Sequence, residues 1–310
     1  MRNSYLRALQ ELAEENRNVL ACVADNGAIV YDKFREKLPR QFINFGIAEA
    51  NMVSAAAGLA ANGKIPFLYT IIPFLTMRAY EQIRNDVCIQ KMNVKLVGIG
   101  AGVVYANLGP THHALEDIAI MRILPGMTIF SPASPQEAYL ATKAAAAHDG
   151  PVYLRLGTNK EPELFDAAHC FEIGKGVFVR DGGDITLAAT GSILGDVLKA
   201  AEILSLKGIS ACVVNLPSIK PLDVEILSSS LRRTGAMLVV EEHSIAGGLG
   251  SSILEGLAAA GALTGAIGLM GFNDTFCQGY AEHGALKAMN GLGVKDIAER
   301  AETLLARKQR

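Results

Sequence analysis

What most constrains this chain is a repeated alternation of short, almost wholly apolar runs with longer stretches whose apolar residues recur at helical spacing. Residues 19–24, 42–45, 67–72, 94–99, 127–130 and 151–155 are runs of the first kind. Runs without polar alternation read as strands buried on both faces, the pattern of a parallel sheet covered by helices. Helices are expected over residues 4–16, from Glu49 to a stop at Asn62-Gly63, over 74–91 after Pro73, and over 115–123. Ser134-Pro135-Gln136-Glu137 offers an N-cap, a first-turn proline and a capping-box glutamate for a further helix. Residues 157–172 are polar and carry a proline, and they read as a linker. A second alternation follows, with strands over 184–189, 210–216, 237–240 and 266–270, and helices over 193–206, 222–233 and after Gly247-Gly248-Leu249-Gly250. The 310 residues suit two domains of about 150 each. The expected fold is α/β with two doubly wound domains, a parallel-sheet domain over 1–165 and a smaller one over 173–310. The halves do not repeat each other.

Charge and composition exclude several functions. A net charge of -2 with no basic run argues against general nucleic-acid or anionic-membrane binding. No apolar run reaches the roughly 18 residues of a membrane span. Cys22, Cys88, Cys170, Cys212 and Cys277 are scattered and read as reduced thiols, neither a disulfide frame nor a zinc site. Glu11, Glu14 and Glu15 give the N-terminus the character of a helix and not a signal peptide, so a cytoplasmic location is expected. A Gly-x-Ser-x-Gly elbow, a Walker A sequence and a Gly-x-Gly-x-x-Gly followed by an acidic residue are all absent.

One carboxylate is out of place. Met52, Val53 and Ala56 lie three, four and seven residues after Glu49, so Glu49 falls on the apolar stripe of its own helix. Glutamate is rarely fully buried without a partner or a task, and Glu49 is the candidate catalytic acid. Asp25 ends a strand, where open α/β sheets place ligand groups; a turn-former before Asn26-Gly27 is an equal reading. Gly109-Pro110-Thr111-His112-His113 puts two histidines on a loop after a buried strand, where they could hold a substrate oxygen or move protons. A surface pair without a role stays open, and metal binding is disfavoured because no Cys, Asp or Glu sits at ligand spacing. Phe74 lies at the edge of the same region, Arg78 and Arg155 could meet a phosphate or simply form ion pairs, and the Gly247–Gly250 cluster could hold an anion or form a tight turn.

At these residues the chain resembles the C-terminal half of transketolase and of deoxyxylulose-phosphate synthase, over nearly its whole length. Gly46-Ile47-Ala48-Glu49 resembles the family's Gly-Ile-x-Glu, and Gly109-Pro110-Thr111-His112 its Gly-Pro-Thr-His. Phe74, Met77 and Arg78 fall in a segment similar to the one beside the cofactor's pyrimidine ring, and 184–191 and 241–250 look like the family's C-terminal domain. The resemblance implies thiamine diphosphate chemistry. Glu49 would hydrogen-bond N1′ of the aminopyrimidine so that the 4′ nitrogen can take the thiazolium C2 proton. Such a carboxyl must share a proton near neutrality; burial favours this and the helix N-terminus opposes it, with burial expected to dominate. Asp25, Phe74 and Met77 are the other expected cofactor contacts. His112 joins Glu49 as catalytic, and His112, His113, Arg78, Arg155 and Leu108 are the expected substrate contacts, Arg155 resembling the family's phosphate-binding arginine.

Departures from the family pattern are as informative. Magnesium and diphosphate are held in the family by Gly-Asp-Gly, a sequence this chain lacks, so a partner subunit would carry that site. An active site between subunits, an α2β2 assembly and inactivity of this chain alone follow from the resemblance. Leu108 stands where the family has an aspartate that reads a sugar hydroxyl, and Gly100 where transketolase has a substrate histidine. Ketol transfer between sugar-like, phosphorylated substrates is the leading expectation. A pyruvate-using synthase, the β subunit of the thiamine-dependent component of a 2-oxo acid dehydrogenase, and a non-catalytic scaffold are the alternatives.

Overall fold

The computed structural model describes residues 1–26, 28–158 and 161–308. Twelve strands among them form two sheets. In chain order they are β1 (Val19–Val23), β2 (Phe42–Asn44), β3 (Ile65–Ile71), β4 (Lys95–Ile99), β5 (Thr128–Phe130), β6 (Val152–Leu156), β7 (Val177–Arg180), β8 (Ile185–Ala189), β9 (Ala211–Asn215), β10 (Ser218–Lys220), β11 (Ala236–Ser244) and β12 (Ala266–Phe272). The first sheet has the order β10-β5-β6-β4-β3-β1-β2, the second β12-β11-β8-β9-β7.

Neighbours are parallel except at one edge of each sheet, where β10 runs antiparallel to β5 and β7 antiparallel to β9. The expected parallel sheets thus acquire mixed edges. β10 also crosses the expected boundary, because a segment of the second domain completes the first sheet. β1, β4, β5, β6, β8 and β9 are buried at every position, which is why their sequences read as continuous apolar runs. One face of the first sheet packs on Tyr5, Leu9, Phe34, Ala138 and Ala141, the other on Met52, Val53, Leu75, Ile83 and Ile118. The second domain's core takes in Val103, Ala106, Leu115 and Ala133 from the first, so the apolar interior runs through the domain boundary.

Three helical features depart from the pattern. The expected 74–91 helix is broken into Ile72–Thr76, Tyr80–Gln82 and a π-helical Ile83–Cys88. The Thr76 hydroxyl donates back to the Ile72 carbonyl at 2.9 Å, a bond that competes with the ladder and bends it. Beyond the last strand, helices His283–Met289 and Val294–Lys308 cover the second sheet. Ser134 caps Pro135–Ala147 as expected, accepting from the Glu137 amide, but the Glu137 carboxylate turns to the Ala133 amide at 2.7 Å and to Asn215 at 2.8 Å across the boundary. Among the described residues no helix is long and apolar enough to cross a membrane.

Candidate active site

The C-terminal ends of β1, β2, β3 and β4 open onto one edge, on either side of the point where the order turns from β1-β2 back to β3-β4. That crevice is where open α/β sheets bind ligands. β2 leads into Glu49 through a turn held by Asn44, whose side-chain oxygen accepts from the Gly46 amide at 2.9 Å. Asp25, at the end of β1, exchanges two hydrogen bonds with the same Asn44, at 3.0 and 3.1 Å. It adopts a left-handed φ of 59°. Its contacts are those of a turn-former, one of its two readings.

Glu49 is the first residue of the Glu49–Ala61 helix and is only 5% exposed. Met52, Val53 and Ala56 on the same stripe are fully buried. The partner that the sequence did not supply is a cation. Arg78 Nη1 lies 3.3 Å from Glu49 Oε1, and the guanidinium carbon sits 3.8 Å from the centroid of the Phe74 ring. The Arg78 side chain is 50% exposed, and Met77 beside it is exposed. Phe74 meets the His112 ring edge-on at 5.1 Å, and the Tyr105 ring also meets His112 edge-on at 6.4 Å. Glu49, Arg78, Phe74, His112 and Tyr105 thus form one contiguous line of side chains.

Glu49 and Phe74 already hold a flat, nitrogen-bearing group between them, the guanidinium of Arg78, and this is the observation that tests the pair against an aminopyrimidine. A ring with N–H donors at its edge and an apolar face could make the same two contacts. The residues fit such a group. Among the described residues no cluster of three or more His, Cys, Asp or Glu could hold a metal ion.

The Gly100–His113 loop is shaped by close packing at Gly100 and by burial of His113. A Cβ on Gly100, which has φ 89°, would collide with the Tyr105 ring, so Tyr105 fills the space a larger residue would need. Leu108 is exposed, with no polar function. His112 is half-buried, its Nδ1 3.0 Å from the Thr111 hydroxyl, whereas His113 is buried. Burial pushes the His113 imidazole below its ordinary range, so it is neutral near pH 7.

Arg155 is held by internal partners. It lies in the all-buried strand β6, is 3% exposed, and donates to Asp117 at 2.8 Å and to the carbonyls of Ala114 and Glu242 at 3.0 and 3.1 Å. Those bonds hold it inside the chain and tie the loop to the second domain. A charged residue inside an apolar run was the signal for such an internal partner. The sequence did not single out Tyr105 and Arg2. They line a cavity of about 600 Å³ between the domains with Asn107, Thr158, Lys199 and His283. The Gly247–Gly250 turn does hold an anion, but an internal one: Glu241 accepts from the Leu249 and Gly250 amides at 2.7 and 2.9 Å. Burial pushes the Glu241 carboxyl up to about 7, against those two amides.

Comparison with known proteins agrees with this architecture. Residues 1–162 match the transketolase pyrimidine-binding domain and residues 174–297 the transketolase C-terminal domain. The 6-deoxy-6-sulfo-D-fructose transketolase subunit of Clostridium sp. (strain MSTE9) is 36% identical over 99% of this chain and 95% of its own length. An apulose-4-phosphate transketolase subunit of Phocaeicola vulgatus is 37% identical over 83% of each chain. A split-gene transketolase, described as an inactive β4 tetramer, superposes with a TM-score of 0.90 at 39% identity, covering 99% of this chain and 98% of that one. Transketolase from Leishmania mexicana, at 20% identity, shares the fold with a TM-score of 0.80 and is matched over 46% of its length. This chain is therefore a member of the transketolase family, with the pyrimidine-binding and C-terminal domains found in its split-subunit relatives.

Proposed function

We propose that this chain is the pyrimidine-binding subunit of a thiamine-diphosphate-dependent transketolase that moves a two-carbon ketol unit between sugar-like substrates. The observation that carries the reading is the Glu49 carboxylate, buried in the chain yet facing a half-exposed arginine and an aromatic face. When bound, the cofactor supplies a nucleophilic carbon for breaking and making a bond next to a carbonyl. The protein's work is to hold a proton at Glu49 against the pyrimidine N1′ and to set the ring on Phe74, with Met77 at its edge. Asp25 would support the rim through Asn44. Arg78 has the length and exposure to leave Glu49 and meet an anionic substrate. His112, oriented by Thr111 through Nδ1, offers its other nitrogen to a substrate oxygen. Phosphorylated sugars fit the relatives that act on apulose 4-phosphate, and a sulfonated sugar is handled by another relative of similar identity.

The diphosphate and its magnesium would be held by a partner chain that carries Gly-Asp-Gly, giving a site shared between chains in an α2β2 assembly. The absence of that sequence here and the subunit nature of the relatives support this. Two experiments test the reading. In the reconstituted enzyme, Glu49→Gln lowers proton exchange at the cofactor C2 by about 10²-fold or more; exchange near the wild-type rate overturns the role of Glu49. Titrated alone with thiamine diphosphate and magnesium, the purified chain binds weakly, and tight binding without a partner refutes the division of labour. Carbon dioxide release from pyruvate in the same assay would replace ketol transfer with synthase chemistry.

A further inference from the structure

The triplet Glu241-Glu242-His243 at the end of β11 belongs to the second domain, but two of its side chains work in the first. His243 Nε2 accepts from the Ile118 amide at 3.1 Å, at the start of the Asp117–Arg122 helix, and its Nδ1 donates to the Ser244 carbonyl at 2.7 Å. Burial pushes this imidazole down to about 4, so it is neutral and in the tautomer those two bonds require. Glu242 reaches further. Its Oε1 accepts from the Val103 amide at 2.7 Å and from His283 Nε2 at 2.8 Å, and Lys287 Nζ stands 4.0 Å from Oε2. Lys287 is in turn 2.5 Å from Asp196.

Val103 stands at the neck of the loop that carries His112. The neck closes where the Ala114 amide donates to the Gly102 carbonyl at 2.8 Å. Gly102, at φ 63°, is pressed so closely by Glu242 that a Cβ there would collide with its carboxylate. Arg155 donates to Ala114 on one strand of the neck and to the Glu242 carbonyl. One residue of the second domain therefore fixes both sides of the loop's base, with its side chain on Val103 and its backbone on the Arg155 clamp. Glu242 is 3% exposed, and burial alone would raise its carboxyl, but His283, Lys287 and the Val103 amide hold it down to about 2. A permanent anion is available at the neck at every physiological pH.

We infer that Glu242, backed by His283 and Lys287, is a positioning residue for the proposed reaction: it sets the Gly100–His113 loop so that His112 and Tyr105 meet the substrate. Glu242 touches neither Glu49 nor Phe74, so cofactor activation does not pass through it. The inference rests on the ketol-transfer reading, and its test separates the two. Glu242→Met keeps the length of the side chain and removes the acceptor, whereas Glu242→Gln keeps an acceptor oxygen without the charge. In the reconstituted enzyme, Glu242→Met leaves C2 proton exchange at the wild-type rate. It lowers kcat/KM for the ketose donor by about 10²-fold, the size expected of a misplaced contact, and Glu242→Gln recovers most of that loss.

Hydrogen exchange of the chain alone gives a readout independent of activity. In Glu242→Met, exchange at the Val103 amide and across the loop quickens more than in β1 and β3, and in Glu242→Gln it returns most of the way to the wild-type rate. Unchanged loop exchange overturns the inference, as does a uniform rise over the chain, which would mark a general loss of stability. A fall in C2 exchange equal to the fall in kcat/KM also overturns it. Wild-type C2 exchange in Glu49→Gln would instead sink the ketol-transfer reading and leave the loop measurement standing.

Discussion

Two buried glutamates, one in each domain, have opposite surroundings. Glu242 has a backbone amide, an imidazole and an ammonium around it, all supplied from within, with the amide and ammonium buried and the His283 ring 31% exposed. Glu49 is nearly as deep, yet its partner among the described residues is one half-exposed guanidinium at 3.3 Å. A buried charge matched by fixed internal donors is an element of construction, and one matched by a group free to leave is kept for something from outside. On the proposed function, the contrast gives two carboxylates of similar burial different tasks.

Replacing each glutamate by methionine is the strongest way to break the contrast. Glu242→Met leaves His283, Lys287 and the Val103 amide facing an apolar chain, and costs about 3 kcal/mol of unfolding free energy. Glu49→Met frees only an arginine that water can reach, and costs less than about 1 kcal/mol. The catalytic consequence is the reverse, with C2 proton exchange lost in Glu49→Met and kept in Glu242→Met. Urea unfolding of both variants checks the first half; equal losses of stability would mean that both carboxylates are structural.

Acid sharpens the same comparison by a smaller amount. The Glu242 carboxyl is at about 2 in the folded chain against an ordinary 4.5. Because the folded value is the lower one, its stabilisation is complete above about 4.5 and is lost as pH falls through about 2. Urea midpoints measured between pH 5 and 2.5 should therefore fall more steeply in the wild type than in Glu242→Gln. Parallel slopes would show that the carboxylate is not held as an anion by its neighbours.

Much of this was legible in the sequence, for physical reasons that also mark where legibility ends. Strands buried on both faces leave an apolar run, and β1, β4 and β6 were found that way. Glu49 was legible because helical periodicity places it on a stripe whose other members are apolar. β10 left no such mark: at three residues, paired on one side only, it needs no apolar alternation. The break near Thr76 turns on a hydroxyl bonding its own helix, which spacing does not register. Arg155 was visible as a charge within β6, but its partners Asp117, Ala114 and Glu242 come from three distant segments, so its inward role needed the fold. The same holds for Glu241, which answers a glycine turn eight residues later in the chain.

The smallest effect concerns the cation that distinguishes Glu49. Arg78→Met removes the ion pair and keeps an unbranched chain of similar reach over Phe74. With the guanidinium half-exposed, the pair contributes at most about 1 kcal/mol, so the unfolding midpoint should barely move. If Arg78 only neutralises Glu49 until a ligand takes its place, cofactor affinity in the reconstituted enzyme holds or improves, because no ion pair has to be broken first. If Arg78 then turns to an anionic substrate, KM for a phosphorylated donor rises while C2 exchange is unchanged. A loss of several kcal/mol of stability would place Arg78 and Glu49 with Glu242, as construction, and erase the difference between the two regions.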